Sequence, residues 1–230
     1  MAAVAGMIDL LIVDDDALVR SGLSLIVQSD SGIRVVGEAP DGEEGLRVAR
    51  ALQPDVVLMD IRMPVMDGLA ATEILKSDDA SPAVLVLTTF DTDEYLLHAL
   101  RLGANGFLLK DTPPRDIIDA VKKVSDGESM LSPSAVGRLV SAWREHDSRS
   151  NPPVNSLDVL SSRELEVAIA VSEGLSNAEI SASLYMSIAT VKTYVSRILS
   201  KLDCTNRVQI AIAVFESRPL GGRSRTRRTR

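Results

Sequence analysis

The segment Ile8-Asp9-Leu10-Leu11-Ile12-Val13-Asp14-Asp15-Asp16 joins a short apolar run to three consecutive aspartates. A run this short and this rich in branched apolar side chains fits a strand buried on both faces of a parallel sheet. A second run closes the same way, in Asp55-Val56-Val57-Leu58-Met59-Asp60. Open α/β sheets gather their ligand site at the carboxyl ends of their strands. Two such strands would aim several carboxylates at one point, where they repel one another unless a cation or protons compensate them. An all-oxygen, carboxylate-rich donor set suits Mg²⁺ better than a softer metal.

Outward from this segment, strand and helix signals alternate. Strands are expected over Ile8–Val13, Ile33–Glu38, Val56–Met59, Ala83–Leu87 and Gly106–Leu109. Amphipathic stretches lie at Ala17–Gln28, Gly42–Leu52, Gly68–Lys76, Asp93–Leu102 and Arg115–Ser125. This alternation predicts βαβ units, and right-handed crossovers narrow the topology to a doubly wound, five-stranded parallel sheet. Asp16 could add a third ligand or cap the first helix, and the cap is the expectation. Pro133 leads a helix expected over 133–145. The polar, proline-containing run from His146 to Asn155 completes a linker over 127–155.

From Ser156 onward the pattern is helical. Ser161 with Glu164, and Ser176 with Glu179, have capping-box spacing. Ser187 caps a helix reaching Leu202, and a fourth helix follows through Phe215. Ile188, Val191, Val195, Ile198 and Leu202 form one apolar stripe, which leaves Lys192, Thr193, Ser196, Arg197 and Ser200 on the other side. Residues 156–218 therefore read as a second, all-α domain of four short helices, followed by an Arg-rich tail, 219–230, expected to be disordered.

The charge follows this division. Residues 1–144 carry 13 Lys and Arg against 23 Asp and Glu, a net of −10, whereas residues 145–230 carry 12 against 9, a net of +3. Five of the arginines lie in the last eight residues, so any nucleic-acid surface on the folded part must be local. The N-terminus lacks the basic region of a secretory signal, no apolar run is long enough to span a bilayer, and the lone Cys204 reads as structural. A cytoplasmic protein without membrane contact is expected.

Residues 7–126 resemble the receiver domain of two-component response regulators, which has a flavodoxin-like fold. The resemblance makes Asp60 the phosphoryl acceptor and Asp14 and Asp15 the acidic pair. Mg²⁺ would be held by Asp15, Asp60 and the Arg62 backbone carbonyl, with Asp14 acting through water. Thr88 and Lys110 would bind phosphoryl oxygens, and Phe107 matches the aromatic switch position. The phosphoryl donor would be a sensor histidine kinase.

Residues 157–216 resemble the LuxR/NarL-type helix-turn-helix domain, through Leu160 to Val167, Gly174 to Ile180 and Thr190 to Leu202. That resemblance places Lys192, Thr193 and Ser196 near bases of double-stranded DNA, and Arg197 and Lys201 at backbone phosphates. Thr190 stands at the helix N-terminus, and Tyr194 occupies a position where the family usually has histidine. Val208, Ile212 and Phe215 resemble the dimerisation helix, so a homodimer on repeated DNA sites is expected.

Two other readings stay open at this level. Asp14 and Asp16 have the Asp-x-Asp spacing of haloacid-dehalogenase-type phosphatases. Alternatively, the acidic site is vestigial and the regulator answers to a small molecule or a partner.

Overall fold

The computed structural model describes residues 6–78, 81–89, 93–131 and 157–217, in two compact units. In the first, β1 (Ile8–Val13), α1 (Ala17–Gln28), β2 (Ile33–Ala39), α2 (Gly42–Leu52), β3 (Val56–Met59), α3 (Gly68–Ser77), β4 (Ala83–Thr88), α4 (Asp93–Arg101), β5 (Gly106–Leu109), α5 (Pro114–Ser125) and β6 (Met130–Leu131) follow in order. The sheet runs β2-β1-β3-β4-β5-β6 with every pairing parallel.

Five strands match the expectation; the sixth does not. Met130 and Leu131 lie in the stretch assigned to the linker, and they pair with Gly106 and Phe107 at the sheet edge. A side chain at Gly106 would collide with the Met130 carbonyl at 2.6 Å, so the glycine admits this extra strand. Two residues give no periodicity to read. The helix expected over 133–145 and the tail 219–230 lie outside the described residues.

Alternation along the strands explains the layers. Leu10, Ile12, Leu58, Leu85, Leu87 and Leu108 share one core with Leu23 and Val27 of α1 and with Ile117, Val121 and Val124 of α5. On the opposite face, Gly37 and Gly45 let α2 and the sheet approach closely, since a Cβ at Gly37 would meet Val48 and one at Gly45 would meet Val13. Both faces are covered, which is why the central strands read as unbroken apolar runs. Asp16 caps α1, accepting from Leu18 N–H at 2.8 Å, as expected.

The loop between β3 and α3 is tightly constrained. Met66 N–H donates to the Pro64 carbonyl at 2.7 Å across Val65, whose φ is +65°. This is a γ-turn in its rare positive-φ form, with a β-branched residue at its centre. Gly68 N–H then donates to the Ile61 carbonyl at 2.8 Å, and a Cβ at Gly68 would fall 1.8 Å from the Asp60 carbonyl oxygen. Gly68→Ala must therefore push the backbone of Asp60 out of place. The expected cost is about 3 kcal/mol, at the upper end for overpacking. It would be read as a lower urea midpoint at unchanged slope.

In the second unit a short 3₁₀ turn (Leu157–Val159) precedes α6 (Ser162–Ser172), α7 (Asn177–Ser183), α8 (Ile188–Lys201) and α9 (Arg207–Ser217). Both capping boxes form: Ser161 with Glu164 opens α6, and Ser176 with Glu179 opens α7. Val191, Val195, Ile198 and Leu202 are buried with Val167, Val171, Ile180 and Ile210. Ile188, expected in that stripe, is 47% exposed. It is the first residue of α8, and the helix has not yet come against its neighbours there.

Candidate functional site

Parallel register brings the predicted acids together. Val13 lies beside Met59, so the next residues, Asp14 and Asp60, emerge side by side at the carboxyl edge. Thr88 and Leu109 are likewise in register, which delivers Lys110 to the same edge. Asp14, Asp15 and Asp60 each offer a carboxylate oxygen within 4.8 Å of the others. Asp14 and Asp60 are buried and Asp15 is exposed. The Lys110 ammonium bridges Asp14 Oδ2 at 2.5 Å and Asp60 Oδ2 at 2.9 Å, although Lys110 and Asp60 lie 50 residues apart in sequence.

The remaining carboxylate oxygens have backbone partners. Asp14 Oδ1 accepts from Asp16 N–H at 3.0 Å, and Asp60 Oδ1 from Ile61 N–H at 2.8 Å. Burial raises the pKa of Asp14, a rise that the Lys110 hydrogen bond only partly counters. Burial also opposes the charge of Lys110, but its hydrogen bonds to Asp14 and Asp60 prevail and raise its pKa. Three carboxylates against one ammonium leave about two negative charges, the complement of one divalent cation. The donor set thus fits a hard, oxygen-seeking metal ion.

Thr88 is fully buried at the end of β4. Phe107, beside Val86 in the register, shares the sheet face of Thr88 and is 2% exposed, so its ring is turned inward. Arg62, two residues after Asp60, donates from its guanidinium to the Tyr95 hydroxyl of α4 at 2.9 Å. No sequence signal announced this link, nor the collision that requires glycine at position 68.

In the second unit, α8 turns the predicted DNA residues outward. Thr190, Thr193, Ser196 and Arg197 are exposed, while Lys192 and Tyr194 are half-buried. Ala189, Thr190, Thr193, Tyr194 and Arg197 line one open groove. The Thr193 hydroxyl donates to the Ala189 carbonyl at 2.9 Å and that of Ser196 to the Lys192 carbonyl at 3.1 Å. Their lone pairs are what they present to the outside.

Lys201 also has a partner within the unit. Its ammonium lies 2.7 Å from Glu164 Oε2 and 3.4 Å from the Val159 carbonyl, which ties the end of α8 to the start of α6. The partner is 37 residues away, so spacing along α8 could not reveal it. Hydrogen bonds from Lys201 and then from Ser161 hold the Glu164 carboxyl down at about 2, below its ordinary 4.5. A carboxyl depressed by folding stabilises fully above pH 4.5, and the benefit is lost as pH falls toward 2. Acid titration of wild type should therefore show a stability loss across that window that Glu164→Gln lacks; parallel curves would refute it. Val208 and Ile212 lie on α9, with Val208 buried and Ile212 half-buried. The Phe215 side chain lies outside the described residues.

A parallel α/β unit with an acid triad and a strand-end lysine, together with a helix-turn-helix unit, defines a response regulator that acts on transcription. Comparison with known proteins agrees. Residues 10–122 match the response regulator receiver domain, and residues 158–214 match the bacterial regulatory proteins of the luxR family. The chain is 40% identical to the transcriptional regulatory protein LiaR of Bacillus subtilis, over 90% of this chain and 96% of LiaR. It is 39% identical to the response regulator VraR of Staphylococcus aureus, over 91% of this chain and 97% of VraR. Among solved structures it resembles the response regulator ChrA of a heme-sensing two-component system (38% identity, TM-score 0.51, covering 93% of this chain and 98% of ChrA). It also resembles RcsB in complex with DNA (25% identity, TM-score 0.55, covering 92% of this chain and 99% of RcsB). This chain belongs to the LuxR-type family of two-component response regulators: a receiver domain joined to a DNA-binding domain, and not an enzyme in the ordinary sense. Among the described residues, no helix is long and apolar enough to cross a membrane.

Proposed function

We propose that this chain acts in the cytoplasm, that Asp60 is the phosphoryl acceptor and that its phosphorylation by a sensor histidine kinase switches DNA binding by α8. The observation that carries this reading is the Lys110 ammonium bridging two of three clustered carboxylates at the strand ends. A carboxylate oxygen of Asp60 attacks phosphorus as the bond from phosphorus to the donor's nitrogen breaks, leaving an acyl phosphate. Asp15, Asp60 and the Arg62 carbonyl would hold Mg²⁺, with Asp14 contributing through water. When bound, the ion offsets the charge of the incoming phosphoryl oxygens.

Lys110 supplies a point charge that can follow the new oxygens. Thr88 donates its hydroxyl to another of them, and Phe107 fills the space that Thr88 leaves. The added charge of about −2 is strong enough to reposition both groups.

On DNA, the half-buried Lys192 and the exposed Thr193 and Ser196 approach base edges, with the two hydroxyls acting as acceptors. Arg197, Thr190 and Tyr194 meet the backbone. Lys201, engaged by Glu164, is assigned to holding α8 before any phosphate. Pairing through Val208, Ile212 and Phe215 would place two α8 helices on repeated half-sites.

The test uses a fragment selected from genomic DNA by the phosphorylated chain. Phosphorylated wild type should bind it at least tenfold more tightly than Asp60→Asn. Equal affinities would favour a regulator governed by a small molecule or a partner, with a vestigial acidic site.

A further inference from the structure

The turn between α7 and α8 carries a residue that the fold does not need. α7 ends at Ser183, Leu184 caps it, and Tyr185 follows with φ +53°. Met186 N–H reaches back to the Ser181 carbonyl at 3.1 Å, while the Ser181 hydroxyl donates to the Met186 carbonyl. This helix-closing geometry calls for a left-handed residue, and glycine or asparagine occupies it at least cost. α6 is followed by such a residue: Gly174, at φ +82°. α7 is followed instead by a bulky aromatic in a conformation that disfavours it.

Among the described residues, nothing inside the unit offsets that cost. The Tyr185 side chain is 95% exposed, and its hydroxyl has no hydrogen-bond partner among the described residues. Leu184 and Met186 on either side pack against the core and hold the turn. A strained residue kept without internal contacts points to an external one.

The position indicates the kind of partner. Tyr185 lies two residues before Ser187, the cap of α8, at the end of the helix that carries Thr190, Thr193 and Arg197 outward. A helix seated in the major groove brings its flanking turn toward the phosphates that border the groove. The neighbouring exposed apolar side chain is Ile188, and two residues are too few for a protein-docking patch. A neutral phenol with an unused proton fits an anionic oxygen.

We infer that the Tyr185 hydroxyl donates a hydrogen bond to a DNA phosphodiester oxygen, outside the base-reading surface of α8. This rests on the reading of α8 as the DNA-binding helix. The contact is independent of base sequence and releases no counterion, because tyrosine carries no charge.

The test uses the phosphorylated full chain and a labelled 30-base-pair duplex of mixed sequence, titrated at several salt concentrations. Tyr185→Phe should weaken binding about tenfold, the scale of one hydrogen bond to a charged group. The slope of affinity against salt should not change. Tyr185→Asn should lose the same affinity while melting a few degrees higher, because asparagine accepts the left-handed turn. Arg197→Ala, by contrast, should flatten the salt slope by about one counterion. Tyr185→Phe binding like wild type overturns the inference, whatever the asparagine variant does. If Arg197→Ala and Lys192→Ala also leave binding unchanged, the assignment of α8 itself fails.

Discussion

Asp60→Ala should leave the intact mass of the chain unchanged after incubation with acetyl phosphate and Mg²⁺, where wild type gains one phosphoryl group. The expectation is near all-or-none, because the other two acids are poorly placed to substitute. Asp14 has one oxygen engaged by Asp16 N–H and the other by Lys110, and it is buried. Burial also raises its pKa and so disfavours the charged nucleophilic form. Asp15 is exposed and has no ammonium beside it among the described residues, since the contacts of Lys110 are with Asp14 and Asp60. Asp60 shares with Asp14 a backbone donor on one oxygen and the lysine on the other, but it follows β3, the strand that lies between β1, which delivers Asp14, and β4, which ends in Thr88. A phosphoryl group persisting on the alanine variant would move the acceptor elsewhere. Continuous release of phosphate by wild type, without a stable adduct, would favour a phosphatase.

The second large effect is predicted for Lys110→Met. The substitution keeps a side chain of similar length but removes the one ammonium between Asp14 and Asp60, whose side chains are 2% and 8% exposed. Breaking a buried ion pair from one side leaves uncompensated charge and costs about 3 kcal/mol or more. The sign of the cure is fixed by the same physics. With Lys110 gone, protonating Asp14 relieves the repulsion, so the variant should recover stability relative to wild type as pH falls from 7 toward 5. A divalent cation should also rescue it, and Mg²⁺ should raise its melting temperature more than that of wild type. A variant as stable as wild type at pH 7, and indifferent to Mg²⁺, would show that the three carboxylates do not form one electrostatic unit. Loss of phosphorylation response should accompany the substitution even where Mg²⁺ restores the fold.

Much of this molecule is legible along the chain because its signals are local. An apolar run of four to six residues that ends in aspartate fixes both a strand and the edge its acid occupies. Serine followed three residues later by glutamate marks the helix starts, and both boxes form as read. The stripe from Val191 to Leu202 gives the inner face of α8 by spacing alone. What local pattern misses is short or depends on distant residues. Met130–Leu131 has too few residues to show a period, and Ile188 fits the stripe but lies where the neighbouring helices do not yet reach.

The residue types and their order therefore specify a sheet with carboxylates at its rim, a helical second unit and the faces each helix buries. They do so because backbone periodicity couples each side chain to neighbours two, three or four positions away. Which charges meet was settled by folding in three dimensions: Lys110 between Asp14 and Asp60, Lys201 on Glu164, and the Asp60 carbonyl against Gly68. Each of these pairs spans at least eight residues, and strand register and helix packing set the distances. Electrostatic and steric terms at such contacts change steeply over an ångström, a scale that spacing along the chain does not carry.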